Sequence, residues 1–169
     1  MSENGLFIEQ LKEPEGRDKW PAVDRAYDFV LPSYQLLATR FEAADTRISA
    51  LLTLTSTLTI AVPIFAKNVQ PGISFASPYF LLGMMFFLLS SVLGIIGRVS
   101  GGVMLPDPMV FYNENLQESE WEFKKNQIYW AGENFFTNAQ AIRQKGNVAT
   151  AMTIGLLVEV LAFAAWLAT

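Results

Sequence analysis

The chain has 169 residues, a net charge of −4, 51% hydrophobic residues, and neither cysteine nor histidine. This length favours a single domain. Because cysteine is absent, disulfides and thiolate metal sites are excluded, and the acidic balance argues against a nucleic-acid partner. No metal and no other cofactor is expected.

Three stretches of the chain carry almost no charge. Residues 48–66 and 68–97 contain no Asp, Glu, Lys or Arg, and residues 146–169 contain only Glu159. An apolar run of about 18 or more residues can cross a hydrocarbon core roughly 30 Å thick. A helix satisfies its own backbone groups there, whereas a lone strand does not. The sequence therefore predicts an all-α membrane protein with transmembrane helices at about 48–66, 79–99 and 148–169.

The segments between the spans have their own patterns. Residues 1–19 are polar and are expected to form a mobile tail. Residues 20–47 predict a helix that Pro32 interrupts or restarts. Its apolar positions recur at steps of three and four up to the first span. Residues 100–147 show a similar pattern leading into the third span, so the first and third spans are expected to extend into a helical stalk.

The distribution of basic residues predicts the orientation. Eleven of the twelve Lys and Arg residues lie on the side of the N-terminus and the 100–147 segment, and only Lys67 lies on the other. Cytoplasmic loops carry the excess of Lys and Arg. The N-terminus and the stalk are therefore expected in the cytoplasm and the C-terminus outside, as in a multi-pass protein of a cell inner membrane.

Glu159 is the most informative side chain, because a carboxyl near the centre of a span is costly by several kcal/mol. It shares a helical face with Gly155, Ala162 and Trp166, which predicts that it points inward. Two interpretations stay open. Glu159 lines a polar path or acts as a protonatable switch, or it bonds to a hydroxyl and holds two helices together.

Several small polar and glycine residues could accompany Glu159. Hydroxyl side chains could line a water path or bond to their own backbone, and the candidates are Thr53, Thr57, Thr59 and Ser90. Small residues permit close helix approach, and the predicted packing positions are Gly94, Gly97 and Gly155. Thr57 and Thr59 are expected at the depth of Glu159.

Two groups in the 100–147 segment have ordinary explanations. The aromatic residues predict a core or an oligomer contact rather than a ligand surface, and they are Trp121, Phe123, Tyr129, Trp130, Phe135 and Phe136. The carboxylates have no histidine partner and predict a solvated helix face, and they are Glu114, Glu118, Glu120 and Glu122. No phosphate loop, dinucleotide fingerprint or nucleophile motif is present, so an enzyme is not expected.

Three short motifs flank the spans. Residues 42–47 (Glu-Ala-Ala-Asp-Thr-Arg) include Asp45 and Arg47 and lead directly into the first span. Leu105-Pro106 follows the second span. The third motif precedes the last span and consists of Glu122-Phe123, Ile128, Phe136, Asn138, Ile142 and Lys145. Together they resemble the small transmembrane effectors of bacterial antiphage systems, of the Pycsar transmembrane and SLATT kind, although Asp-x-Arg stands here in place of Asp-x-Lys.

The resemblance implies a function that composition does not. It implies a homo-oligomeric effector that responds to a nucleotide second messenger, made by a partner synthase, and then disrupts the inner membrane in phage defence. The residues themselves indicate only an oligomerising stalk joined to spans with a buried Glu. A non-conducting anchor or scaffold that docks a soluble partner is the alternative.

Overall fold

The computed structural model describes residues 19–104, 109, 112 and 117–169. They form three long helices, α1 (Val23–Val69), α2 (Pro78–Val99) and α3 (Glu120–Leu167), and contain no β-strand. All three helices are long and apolar enough to cross a membrane. The prediction of an all-α protein with three such helices is confirmed. Residues 1–18 of the predicted tail at 1–19, and the Leu105-Pro106 motif, lie outside the described residues.

Helix α1 does not stop at its first internal proline, which the sequence pattern marked as an interruption. It continues through Pro32 to Val69. An internal proline costs about 3 kcal/mol, so other interactions must compensate. The neighbouring Tyr34 ring packs 5.5 Å from the Trp130 ring, centroid to centroid. Tertiary packing of this kind, rather than local propensity, provides most of the stability of helices in proteins.

Each of the other two helices begins with a recognisable signal. Helix α2 has Pro78 in its first turn, where the missing N–H costs nothing. Helix α3 starts with a capping box at Ser119 and Glu122. The Ser119 hydroxyl accepts from the Glu122 N–H at 3.3 Å, and the Glu122 carboxylate accepts from the Ser119 N–H at 3.3 Å.

The chain divides into two compact units, of which unit 1 comprises residues 1–34 and 105–134. Within it, Lys124 donates to Asp24 at 2.8 Å and pairs with Glu120 at 2.6 Å. The hydrogen bond to Asp24, and then the one to Glu120, raise the pKa of Lys124 above its ordinary value of 10.5. The ammonium therefore stays charged at neutral pH and ties the start of α1 to the start of α3.

Unit 2 comprises residues 35–104 and 135–169 and contains all three apolar segments. Ile48 packs with Ala149 and Met152, and Ala66 packs with Phe163 and Trp166. These two clusters show that α1 and α3 run parallel in this unit.

Helix α2 runs antiparallel to α3 in unit 2 and approaches it through buried small residues. A Cβ atom added to Gly97 would lie 2.7 Å from Val148, and one added to Gly83 would lie 2.6 Å from the Phe163 ring. One added to Gly94 would lie 2.5 Å from Leu52 of α1. The glycines therefore allow α2 to fit between its two neighbours at short range.

Gly97→Ala is expected to destabilise unit 2 by roughly 1–3 kcal/mol, because the added methyl overpacks against the stiff, β-branched Val148. The measurement is thermal unfolding of purified protein in detergent. Gly146→Ala is the matched control, since nothing lies within 4 Å of its added Cβ. Equal unfolding temperatures for the two variants would contradict the close approach of α2.

Candidate functional site

The buried face of α3 contains the only charged residue of the third span. Gly155, Glu159, Ala162 and Trp166 share this face, and all four are buried in unit 2. Glu159 and Trp166 are fully inaccessible to solvent. The carboxyl group is thus enclosed by protein rather than exposed to lipid.

The Glu159 carboxyl has one hydrogen-bond partner among the described residues. The Thr59 hydroxyl of α1 donates to Glu159 Oε1 at 2.7 Å. The other oxygen, Oε2, is buried and has no hydrogen-bond partner in the described part of the chain. A buried polar atom without a partner is rare and costs roughly 1–3 kcal/mol. This half-satisfied carboxyl is the chemically unusual feature of the protein.

The other hydroxyls named from the sequence do not converge on Glu159. Thr53 and Thr57 lie on the exposed face of α1 and donate to the carbonyls of Ser49 and Thr53, at 3.0 and 2.8 Å. The expectation that Thr57 shares the environment of Glu159 is therefore wrong. Thr57 and Thr59 are two positions apart, and this spacing turns their side chains to nearly opposite faces of a helix.

Two buried hydroxyls lie nearer the interior of unit 2. Ser90 of α2 is buried, and a Cβ atom added to Gly155 would meet its hydroxyl oxygen at 2.5 Å. Thr55 is fully buried and donates to its own helix at the Leu52 carbonyl, at 3.1 Å. Thr55 lies within the run of hydroxyl residues from 53 to 59 but is not among the named candidates, although it continues the apolar face of α1 one turn beyond Leu51.

Aromatic rings pack at the end of unit 2 that contains the loop between α1 and α2. The Trp166 indole N–H donates to the Ser74 carbonyl at 2.9 Å, which fixes the loop between α1 and α2 against α3. The Phe80 ring lies 4.8 Å from the Trp166 ring, and the Phe75 ring lies 5.5 Å from it, between centroids. These contacts bury Trp166, which lies about two helical turns beyond Glu159 on the same face of α3.

A buried ion pair joins α1 and α3 at the opposite end of the apolar segments from Trp166. The Lys145 ammonium is 2.6 Å from Asp45, with 2% of the lysine side chain and 33% of the aspartate side chain exposed. The ammonium also lies 4.3 Å from the centroid of the Phe41 ring, a cation–π contact. The flanking motifs contain both charged residues, but their resemblance to a family did not reveal this pairing. The exposed Arg47 takes no part in it.

Asn138 holds the chain segment that follows α2. Its side-chain carbonyl accepts from the Met104 N–H at 2.8 Å, and its amide donates to the Met104 carbonyl at 3.4 Å. Asn138 is fully buried. A buried amide with two backbone partners is a positioning contact, so this motif residue has a structural role in unit 2.

The aromatic residues and the carboxylates of the 100–147 segment differ in their surroundings. Among the aromatic residues Trp121 is buried, whereas Tyr129, Phe135 and Phe136 are exposed. Glu118, Glu120 and Glu122 all make local hydrogen bonds or ion pairs. Glu114 lies outside the described residues. The carboxylates therefore support the start of α3, and the exposed rings leave an apolar surface.

Comparison with family models, with curated proteins and with solved structures finds no match. The class of the protein is therefore defined by its own helices. Three helices of sufficient length and apolar character make it a multi-pass membrane protein. Its particular function is a matter for proposal.

Thr59→Val is expected to destabilise unit 2 by about 1 kcal/mol, because it removes the one hydrogen-bond partner that the buried Glu159 carboxyl has among the described residues. Thr57→Val is the matched control, since its hydroxyl is exposed and bonds only to its own helix. Thermal unfolding in detergent measures both. A Thr57→Val effect as large as that of Thr59→Val would contradict the importance of the Thr59–Glu159 bond.

Asp45→Asn is expected to destabilise unit 2 by about 3 kcal/mol, because it leaves the buried Lys145 ammonium without a counter-charge. The double variant Asp45→Asn, Lys145→Met is expected to lose less. Glu120→Gln, which removes an exposed pair, serves as the control and is expected to have little effect. Denaturation in mixed micelles measures the stability of the three variants and so checks their expected order. A double variant less stable than Asp45→Asn would contradict the ion-pair explanation.

Proposed function

We propose that this chain is an effector of a bacterial inner membrane that assembles into oligomers and permeabilises the membrane on receiving a signal. The N-terminus and the basic segments lie in the cytoplasm, as the excess of Lys and Arg on that side supports. The similarity of its flanking motifs to transmembrane antiphage effectors supports a role in phage defence.

The observation that carries this proposal is the half-satisfied carboxyl of Glu159. An ionisable residue within a span is rare, and it suggests a functional site such as an ion or proton pathway. A purely structural Glu would be expected to engage both oxygens, yet Oε2 has no partner among the described residues. The free oxygen is available to water, a proton or a cation once the helices separate.

The described arrangement corresponds to a closed state. Glu159 is fully buried, with the Ile48 cluster on one side and the Trp166 cluster on the other. Opening must therefore move α1 relative to α3 and break the Thr59–Glu159 bond. A polar group released in this way lowers the cost of water within the membrane.

A surface of unit 1 supports the reception of a nucleotide signal. It is a groove of about 550 Å³, lined in part by Trp20, Tyr129, Lys19 and Lys125. Aromatic faces can stack on a base, and lysine ammonium groups can pair with phosphate. This groove is the proposed receiving site for a nucleotide second messenger from a neighbouring synthase.

The alternative function is a non-conducting anchor for a soluble partner. The exposed rings of Phe29 and Tyr129 in unit 1 favour it, since large exposed apolar side chains often mark interaction surfaces. In that case Glu159 serves only as a contact between helices.

Dye release from liposomes tests the two functions. Purified wild-type protein is expected to release the dye when a cyclic nucleotide is added as the signal. Glu159→Gln is expected to slow release by roughly tenfold, equivalent to about 1.4 kcal/mol, because the amide cannot ionise. Glu133→Gln, an exposed carboxylate in unit 1, is the matched control.

Three outcomes separate the hypotheses. Slower release with Glu159→Gln but not with Glu133→Gln supports the proposal. Equal release from wild type and Glu159→Gln rejects the role of the carboxyl. No release from the wild type, with or without a cyclic nucleotide, rejects permeabilisation and favours the anchor.

A further inference from the structure

Helix α1 has a second regular face, opposite the one that packs in unit 2. Its positions follow alternating steps of three and four, the spacing of a heptad pattern. Every one of them is exposed, and they are Leu36, Thr39, Ala43, Thr46, Ala50, Thr53, Thr57, Ile60 and Ile64. We call this surface the outer stripe of α1. It continues for four heptads without an interruption.

The outer stripe differs from the lipid-facing surface of α2 at the same depth. Gly94 of α2 lies against Leu52 of α1, and this contact aligns the two helices. At the depth of Ala50, Thr53 and Thr57, α2 exposes Ile95, Val92 and Leu88, by 60%, 54% and 59%. Large aliphatic side chains suit lipid, whereas small ones suit the close approach of another helix.

Three of the four hydroxyls of the outer stripe already have a partner in their own helix. Thr39, Thr53 and Thr57 donate to carbonyls of their own helix, at 3.1, 3.0 and 2.8 Å. They therefore present small, methyl-bearing surfaces rather than free polar groups. In a membrane, helices associate through such close packing, because lipid supplies no hydrophobic driving force between them.

Charges beside the outer stripe are complementary to those of a second copy. Glu42 immediately precedes the stripe position Ala43, and Arg47 immediately follows the stripe position Thr46. In a parallel pair of helices, residues with this five-residue spacing face each other across the interface. Both side chains are exposed, and within the described residues neither belongs to an ion pair.

We propose that the outer stripe of α1 pairs with the same surface of a second copy, with the two α1 helices parallel. Copies inserted with the same orientation have parallel α1 helices, and a two-fold axis then brings each stripe residue against its own counterpart. The pair forms two symmetric Glu42–Arg47 contacts. The occupant of this surface is thus another molecule of the same chain.

The corresponding outer face of α3 is a poorer candidate for the same role. Its exposed positions include Gln140, Arg143 and Asn147. In a parallel pair Arg143 would face its own counterpart, and like charges in contact are unfavourable. The choice of α1 over α3 therefore follows from charge as well as from side-chain size.

Single-cysteine cross-linking in native membranes tests this inference. The chain has no cysteine, so each variant carries one thiol. Ala43→Cys, Ala50→Cys and Thr57→Cys are expected to give roughly fivefold or more disulfide dimer than the controls, because the bond requires Cα atoms within about 7 Å. The matched controls are Ile95→Cys and Leu88→Cys, exposed on α2 at the same depth.

Charge exchange tests the pairing of Glu42 with Arg47. In the Ala43→Cys background, Glu42→Lys alone and Arg47→Glu alone are each expected to lower the dimer yield, and the double exchange is expected to restore it. Equal yields at all cysteine positions, no dimer at any stripe position, or a maximum on α2 would overturn the inference. Failure of the double exchange to restore the yield would overturn the parallel arrangement.

Pairing through α1 would add an interface to the proposed effector, but a different experiment measures it. Disulfide dimers report pairing in the membrane, whereas dye release reports permeabilisation. Dimers without release reject only the proposed function, and release without dimers rejects only the pairing through α1.

Discussion

Helices α1 and α3 pack in parallel in unit 2, and two polar contacts join residues of these helices that are 100 positions apart, Thr59 with Glu159 and Asp45 with Lys145. The contacts are separated by 14 residues on each helix, which is two heptads and about 21 Å of helix. The same faces therefore meet at both points. Any shift in this register would leave a buried carboxyl and a buried ammonium without their partners, at a cost of several kcal/mol.

Helix α2 completes unit 2 without contributing a charged residue to its buried face. Its buried positions are Gly83, Ser90, Gly94 and Gly97, and their small size lets it lie between α1 and α3. This close approach encloses Glu159, because no large side chain of α2 holds the helices apart. The enclosure of the carboxyl thus depends on the small side chains of α2. Separation of the helices would end both the close approach of α2 and this enclosure.

Helix α1 serves two partners with two faces. Its inner face carries apolar residues and Thr59 toward α3, and its outer stripe carries small residues from Thr39 to Thr57 toward the proposed second copy. Rotation or displacement of α1 would therefore change both contacts, which would couple assembly to the environment of Glu159. A two-sided helix of this kind offers a physical route from association in the membrane to opening of a polar path.

The sequence alone determined the class of the protein, since three apolar runs with almost no charge are long enough to cross a membrane as helices, and this property does not depend on how they pack. It also identified Glu159 as the costly residue. The tertiary structure decided which partners that residue has. Thr57 and Thr59 are indistinguishable by residue type and hydropathy, and only the rotation of α1 against α3 places one beside the carboxyl and the other outside. It likewise decided that α1 continues through Pro32 and that Asp45 meets Lys145, because both depend on contacts between segments about 100 residues apart, which local patterns do not encode.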